Sequence, residues 1–220
     1  MLSPAPFRDR YQAGKILGET LRTLVSDPEA IVLALPRGGV PVGFEVARAL
    51  HAGLDIFLVR KLGVPGHEEL AMGAIASGGI RVLNQDLVRN LGISETMIDR
   101  AILREKLEIE RRERLYRQGR PPLPVTGKLA ILVDDGLATG ATMTAAAMAL
   151  REERPKQLIV AVPVGSREAC QDLEKHADRV ICAATPEPFY AVGAWYDDFS
   201  QTGDEEVRDL LARAAQARVP

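Results

Sequence analysis

The chain has 220 residues, of which 46% are hydrophobic and 26% are charged, a composition typical of a globular protein with one substantial core. Its 28 basic and 30 acidic residues leave a formal net charge of -2, which argues against nucleic acid as the main partner. The sequence shows neither an N-terminal leader pattern nor an apolar run near the roughly 18 residues of a membrane helix. We therefore expect a cytoplasmic protein that does not contact a membrane.

The cysteine content argues against a covalently stapled fold. Cys170 and Cys182 are the only cysteines, too few for the disulfide framework of a small secreted protein, and they have no partners at the spacing of a zinc site. We therefore expect both to be small buried side chains.

Short apolar runs alternate with helical patterns along most of the chain. Continuously apolar runs are typical of strands covered on both faces, and they predict strands at 30–35, 54–59, 129–133, 158–164 and 180–183. The segments between them predict helices at 13–25, 42–51, 141–152 and 166–176. This alternation predicts an α/β fold with an open, doubly wound and mostly parallel sheet. In such a sheet, small ligands bind beyond the carboxyl ends of the strands.

Residues 81–127 interrupt this alternation and predict a helical insertion. Ser94 or Thr96 is suited to cap a helix, and Gly119 with the two prolines after it is suited to end it. Opposite charges recur four residues apart along the helix, which favours a solvated outer face. The apolar residues fall on one stripe, formed by Ile98, Ile102, Ile109 and Tyr116. We expect the helix to lie across the core, and a dimer contact through the stripe is the alternative.

Residues 131–143, ILVDDGLATGATM, carry the clearest chemical signal. The second half of this segment is a loop of small and hydroxyl residues that opens a helix near Ala141. Backbone N–H groups at a helix N-terminus bind phosphate, and a glycine lets the backbone approach the ligand closely. The candidate phosphate-binding residues are therefore Ala138, Thr139, Gly140, Ala141 and Thr142.

Two carboxylates, Asp134 and Asp135, precede this loop. They cannot favour the same phosphate, because like charges repel. They suit instead hydroxyl groups or a Mg²⁺ ion beside the phosphate, and we expect both to be exposed at the end of the strand. A ribose 5-phosphate has all the groups that this segment suits.

The segment resembles the phosphoribosyl pyrophosphate (PRPP) signature of type I phosphoribosyltransferases, in which two acidic residues and a small phosphate loop follow an apolar run. The resemblance implies a type I phosphoribosyltransferase-like fold with a small hood. It also implies Mg²⁺-dependent transfer of ribose 5-phosphate from PRPP to a nitrogenous base, with release of pyrophosphate. PRPP and a base would be the partners, and Asp134 and Asp135 would hold the ribose or the metal. A regulatory protein that binds PRPP or a nucleotide without catalysis is the alternative.

Two further segments match the family in position. The sequence LPRGG follows the first predicted strand, where the family binds pyrophosphate, so the resemblance assigns that role to Arg37, Gly38 and Gly39. A glycine-rich stretch at 60–79 matches the mobile loop that closes over PRPP, and Lys61 would approach the pyrophosphate from it. A plain tight turn and a flexible surface hairpin are the alternative interpretations of these two segments.

The last segment, PEPFYAVGAWYDDF at 186–199, is similar to the hood of hypoxanthine-type members. By that similarity Asp197 assists the metal, and the residue that stacks on the base is Phe189, Tyr190 or Trp195. The phosphate loop departs from those members, because Ala138 stands where they carry an aspartate. The base therefore stays open.

Taken together, these patterns predict a single domain over 1–220, with the insertion at about 81–127 and the hood at about 185–220. We also expect a homo-oligomer, a dimer.

Overall fold

The computed structural model describes residues 7–217, apart from the side chain of Glu69. The ends of the predicted domain and hood that fall on residues 1–6 and 218–220 lie outside the described residues. The strands are β1 (Ile31–Ala34), β2 (Gly53–Ile56), β3 (Val59–Val64), β4 (His67–Ala76), β5 (Arg81–Leu83), β6 (Leu129–Val133), β7 (Gln157–Val164) and β8 (Arg179–Ala184). The helices are α1 (Arg10–Arg22), α2 (Gly39–Leu50), α3 (Gln85–Asn90), α4 (Glu95–Arg117), α5 (Ala141–Glu152), α6 (Arg167–Leu173) and α7 (Asp204–Gln216).

Five parallel strands form the central sheet in the order β2-β1-β6-β7-β8. Helices cover both of its faces, which confirms the predicted doubly wound α/β fold. Along β1, for example, Val32 and Ala34 pack with α1, α2 and α7, while Ile31 and Leu33 pack on the opposite side, where α5 and α6 lie. This two-sided burial explains why the strands are continuously apolar in sequence.

The glycine-rich stretch whose position matches a mobile loop forms an antiparallel sheet in the structure, which agrees with the alternative interpretation as a hairpin. β3 and β4 form a hairpin, and β5 pairs with β4 to give a three-stranded sheet. Gly66 has a φ of 81° at the hairpin turn, a conformation that glycine adopts without strain. The reason for the order is the apolar face of the hairpin, because Leu62, Met72 and Ile75 are completely buried.

The region 81–127 is helical as expected, except that it begins with β5 and contains the short helix α3. Ser94 caps α4, and its hydroxyl accepts a hydrogen bond from the N–H of Met97. The predicted stripe faces the core: Ile98, Ile109 and Tyr116 are buried. The interpretation of this stripe as a dimer contact is therefore wrong, since its side chains are already covered by the same chain.

The C-terminal region differs from a simple hood. Residues 185–203 follow β8 as an irregular segment with one 3₁₀ turn. The next element, α7, packs away from this segment and contacts α2, α4 and β2. Val207 and Leu210 of α7 belong to the same core cluster as the apolar face of α2. The helix thus belongs to the layer of helices on one face of the central sheet.

The expectation of buried cysteines is confirmed for Cys170, whereas Cys182 is only partly buried, and it missed that the two form a disulfide that joins α6 to β8. Parallel strand pairing brings β8 beside β7, and α6 crosses directly above them, so residues 12 apart in sequence become neighbours. Residue spacing alone carries no sign of this juxtaposition.

Within residues 7–217, no helix combines the length and the apolar character needed to cross a bilayer.

Candidate functional site

Two loops leave the carboxyl ends of the adjacent strands β1 and β6. Both strands are parallel and in register, with Ala34 opposite Val133. The chain continues from β1 outward to β2 on one side of the sheet and from β6 to β7 and β8 on the other. The order of strands therefore reverses between β1 and β6, and a crevice at such a point is where open α/β sheets bind ligands.

Glycines let the loop after β1 lie directly on the acid pair that follows β6. A Cβ atom on Gly38 would overlap Oδ2 of Asp135. One on Gly39 would lie 2.9 Å from the carbonyl oxygen of Val133 and 2.9 Å from the Cα of Asp134. No side chain fits at either position without displacement of the acid pair or its backbone, so these glycines set the spacing of the site.

The two carboxylates are less exposed than the sequence predicts. Asp134 and Asp135 are both partly buried, and the side chain of Asp135 is only 16% exposed. The N–H of Asp135 donates a hydrogen bond of 2.8 Å to Oδ1 of Asp134. Burial raises the pKa of Asp134 well above its ordinary value, and the charge of Asp135 raises it further, while Arg10 opposes the shift. Burial therefore disfavours the ionised form of Asp134 in the folded protein.

Arg10, the first residue of α1, is the partner of Asp135. Its Nε lies 2.7 Å from Oδ2 of Asp135, and its side chain is only 11% exposed. The same guanidinium donates to the carbonyl oxygen of Ser200 over 2.8 Å and lies 3.9 Å from the centroid of the Phe199 ring. The Tyr196 hydroxyl donates a hydrogen bond of 2.6 Å to the backbone carbonyl of Asp135. These contacts fix the acid pair between α1 and the segment after β8.

Sequence reasoning did not identify Arg10, Tyr196 or Phe199 as part of the site. Arg10 is one of many arginines, and it lies 125 residues before the carboxylate that it contacts. The two aromatic residues lie within the predicted hood, beside the residues that the sequence did single out. Only the position of Arg10 at the start of α1, with the capping residue Asp9 before it, is visible in the sequence.

Replacing Arg10 with Met should destabilise the fold by about 2 kcal/mol, because it leaves the poorly exposed carboxylate of Asp135 without its counterion. Asp135→Asn in the same background should recover part of the loss, since the neutral amide needs no counterion. Urea denaturation of the two single variants and the double variant measures this coupling. Additive losses in the double variant would contradict the ion pair as a source of stability.

Most of the candidate phosphate-binding residues, 138–142, are exposed to solvent. Ala138, Thr139, Ala141 and Thr142 are exposed, and Gly140 alone is buried, with a φ of 72° at the N-cap of α5. The N-cap residue Gly140 has no side chain to cap the helix, and the N–H of Ala141 makes a hydrogen bond of 3.5 Å to Oγ1 of Thr139. This hydrogen bond is long, so an external anion could replace it at the first backbone N–H groups of α5.

Arg37 lies in the turn after β1 and points toward the start of α7. Its Nη1 is 3.5 Å from Oδ1 of Asp204, and the hydroxyl of Tyr116 donates to the same oxygen over 2.7 Å. Burial, together with the hydrogen bond to Asp204, raises the pKa of Tyr116 to about 12. The loop after β1 is thus connected to both α4 and α7, which the sequence did not indicate.

Lys61 lies on β3 and is exposed to solvent. Among residues 7–217 its ammonium group makes no hydrogen bond or ion pair with the other candidate residues. The structure therefore presents this cation on an ordered strand but does not bring it into contact with the acid pair.

The candidate aromatic residues separate into two groups. Phe189 and Tyr190 line a cleft of about 390 Å³ together with Ala138 and Thr139 of the phosphate loop. Trp195 does not line this cleft and packs against a small cluster with Phe7 and Tyr196, against which Phe189 also packs. Of the three candidates for stacking on a base, two therefore face the phosphate loop across an open cleft.

Asp197 is exposed, and its backbone N–H donates to the carbonyl oxygen of Phe7 over 2.8 Å. In the described part of the chain, no three His, Cys, Asp or Glu side chains converge as a metal-binding group. The acid pair offers carboxylate oxygens, which are hard ligands. Mg²⁺ commonly binds one or two carboxylates and completes its coordination shell with substrate oxygens and water, so the acid pair suits this ion.

Comparisons with known proteins identify the family of this chain. A family model described as "Phosphoribosyl transferase domain" matches residues 11–193. A Mycobacterium tuberculosis protein named "Putative phosphoribosyl transferase" is 46% identical over 208 residues, which are 94% of this chain and 47% of that protein. The chain thus spans about half the length of the curated relatives it matches. "Bifunctional protein PyrR" of Brevibacillus brevis is 32% identical over 131 residues, 56% of this chain and 72% of that protein.

Among solved structures, the chain is similar to the crystal structure of TT1426 from Thermus thermophilus. The two are 42% identical, the alignment covers 94% of this chain and 98% of that one, and the TM-score is 0.86.

Proposed function

The chain belongs to the phosphoribosyltransferase family, and on that premise we propose that it transfers ribose 5-phosphate from PRPP to a nitrogenous base and releases pyrophosphate. The observation that carries the proposal is the exposed loop 138–142. It lies directly beyond the two carboxylates and opens α5, where the only side-chain contact to a first-turn N–H among the described residues is a 3.5 Å hydrogen bond from Ala141 to Thr139. A sugar that carries a terminal phosphate has complementary groups for both parts.

The loop after β1 supports a role for its residues at the pyrophosphate. Gly38 and Gly39 lie against the acid pair, so the backbone of this turn borders the position of the sugar. Arg37 supplies a guanidinium group from the same turn, and we propose that it moves from Asp204 to the leaving pyrophosphate. Lys61, exposed on β3, is proposed to approach from the other side when the small sheet closes.

We propose that Asp134 and Asp135 hold the ribose hydroxyls, directly or through Mg²⁺ and its water molecules. When bound, Mg²⁺ would neutralise charge on the pyrophosphate and so make it a better leaving group. Asp197 is proposed to assist the metal from the segment after β8, on the resemblance alone. The transition state of such a transfer has oxocarbenium character at the sugar, and fixed carboxylates beside the ring stabilise that charge. No covalent intermediate with the protein is needed.

Release of pyrophosphate from PRPP, measured with Mg²⁺ and a panel of purine and pyrimidine bases, tests the proposal. We expect base-dependent release with at least one member of the panel. PRPP binding without turnover for any base would overturn catalysis and favour a protein that only binds the ligand.

Thr139→Val tests the phosphate loop separately. The substitution removes the hydroxyl of an exposed loop residue but keeps a side chain of the same shape, so the affinity for ribose 5-phosphate should fall about tenfold. Isothermal titration calorimetry measures that affinity. Thr144→Val, one turn further along α5, is the matched control and should bind as the wild type does. Equal affinities in Thr139→Val and wild type would contradict the assignment.

The cytoplasmic location and the homodimer stay predictions. The apolar stripe of α4 is unavailable for the dimer, so a contact of that kind has to use another surface.

A further inference from the structure

Arg10 lies where the chain before α1 meets the segment after β8. Phe7 forms a parallel bridge with Tyr196, and the centroids of their rings lie 5.5 Å apart. Two residues later Asp9 caps α1, because its carboxylate accepts a hydrogen bond of 2.7 Å from the N–H of Gln12. The bridge and the cap together determine where α1 begins, and so they determine where the side chain of Arg10 starts.

The guanidinium group of Arg10 holds two acceptors from two of its nitrogen atoms. Nε donates to Oδ2 of Asp135 over 2.7 Å, and Nη1 donates to the carbonyl oxygen of Ser200 over 2.8 Å. The ring of Phe199 lies 3.9 Å from the guanidinium carbon, measured to the ring centroid. A lysine would keep the charge, but its single nitrogen does not span both acceptors in this geometry.

These contacts determine the orientation of the Asp135 carboxylate. Oδ2 is bound by Arg10 and lies against Gly38, where even a Cβ atom would overlap it. The backbone of Asp135 is held as well, because the hydroxyl of Tyr196 donates to its carbonyl oxygen over 2.6 Å. Among residues 7–217, no N–H or O–H group donates to the other carboxylate oxygen, Oδ1. Oδ1 is therefore the oxygen that an external donor can reach.

The ion pair is poorly exposed, since 11% of the Arg10 side chain and 16% of the Asp135 side chain are accessible to solvent. A pair of this kind adds little stability compared with apolar side chains of the same size, because both charges lose hydration. Orientation of the carboxylate is a better explanation of the pair than stability.

We propose that Arg10 is a positioning residue, which turns Asp135 so that Oδ1 accepts a hydrogen bond directly from a ribose hydroxyl, without a metal ion between them. The inference rests on the proposed function, since it takes a ribose phosphate as the ligand, and it adds a residue from outside the segment 131–143. A carboxylate that is already fixed loses no side-chain freedom when the sugar binds, so its hydrogen bond contributes more to the affinity.

The experiment compares two ligands that share the phosphate and the sugar ring, ribose 5-phosphate and 2,3-dideoxyribose 5-phosphate. Isothermal titration calorimetry in EDTA measures both affinities without a divalent cation. The wild type should bind ribose 5-phosphate at least about tenfold more tightly, because only this ligand has the ring hydroxyls. Arg10→Lys should remove most of this preference and leave the affinity for the dideoxy ligand within about twofold. With PRPP and Mg²⁺, the KM of the variant should rise about tenfold while kcat stays within about twofold.

Tyr196→Phe is the second variant, because it removes only the hydroxyl that holds the backbone of Asp135. It should reduce the same preference about threefold. Tyr11→Phe is its matched control, since it removes a hydrogen bond of 2.7 Å to Glu206, away from the acid pair. Arg22→Lys, at the exposed last residue of α1, is the control for Arg10→Lys. Both controls should show the preference of the wild type.

The outcomes separate this inference from the proposed reaction. Equal losses for both ligands in Arg10→Lys, an unchanged preference in this variant, or equal affinities of the wild type for the two ligands overturns the role of Arg10. If Arg10→Lys does not fold, an unchanged preference in Tyr196→Phe overturns it. The expected binding pattern without release of pyrophosphate for any base overturns the transfer reaction instead and leaves the role of Arg10 in place.

Discussion

Replacing Asp134 with Asn should lower kcat/KM for PRPP about a hundredfold or more, with the fold preserved. The amide keeps the shape of the side chain but removes the negative charge that the proposed mechanism places beside the developing positive charge on the sugar. Steady-state release of pyrophosphate over a range of PRPP concentrations measures the effect. Asp134 is a cleaner test than Asp135, because Asp135→Asn also removes the counterion of Arg10.

The same variant should be less active but more stable than the wild type. Burial raises the pKa of Asp134 in the folded state, so ionising this carboxyl costs folding free energy. This free-energy cost is absent when the pH is below the pKa of Asp134 in the unfolded chain, near 3.8. It grows as the pH rises toward the raised pKa of the folded state. Asn carries no such cost. Asp134→Asn should therefore gain about 1 kcal/mol of stability at neutral pH and show almost no gain in acid.

Denaturation with urea at a series of pH values measures this gain. Asp178→Asn is a useful contrast, because the hydrogen bonds and charge of Arg151 lower the pKa of Asp178, so this substitution should cost stability at neutral pH. A stable Asp134→Asn variant with undiminished activity would remove the acid pair from the mechanism. A less stable variant at neutral pH would contradict the unfavourable burial of its charge.

Gly39→Ala should destabilise the protein by about 2 kcal/mol and also abolish most of its activity. The new Cβ would meet the carbonyl oxygen of Val133 and the Cα of Asp134, both at 2.9 Å. These are backbone atoms of the central sheet and the residue that follows it, so they cannot rotate away as a flexible side chain would. The loop after β1 would have to move off the acid pair, at a cost typical of overpacking in a core.

Gly203→Ala is the matched control, since a Cβ at Gly203 meets nothing within 4 Å and this residue too lies at the start of a helix. It should leave the urea midpoint nearly unchanged. Thermal or urea unfolding of both variants, followed by pyrophosphate release, measures the two effects of Gly39→Ala. Wild-type stability in Gly39→Ala would show that the two loops do not lie as close as described.

The local features of the site were predictable because each depends on a few neighbouring residues. The segment ILVDDGLATGATM indicated a strand, two acids and a helix start, and the structure has β6 and α5 at the predicted residues. The apolar runs predicted the sheet correctly because strands covered on both faces contain little else. Even Ser94, one of two residues expected to cap α4, is the cap in the structure.

Other features depend on which distant segments meet, and these were missed or misjudged. The stretch 60–79 resembled a loop because of its glycines, yet burial of Leu62 and Met72 orders it as a sheet. The disulfide between Cys170 and Cys182 exists because α6 crosses β8. The exposure of Asp135 was overestimated because Arg10 and Gly38 cover it from two other elements.

The sequence by itself determined the family, the five strands of the central sheet along the chain and the positions of the acid pair and of the loop that opens α5, because strand burial, helix starts and short motifs are local properties of the chain. Only the tertiary structure decided the surroundings of those residues. It placed Arg10 on Asp135, turned Arg37 toward Asp204 and opened a cleft between the phosphate loop and Tyr190. Such pairings depend on how distant segments pack, which no local pattern specifies.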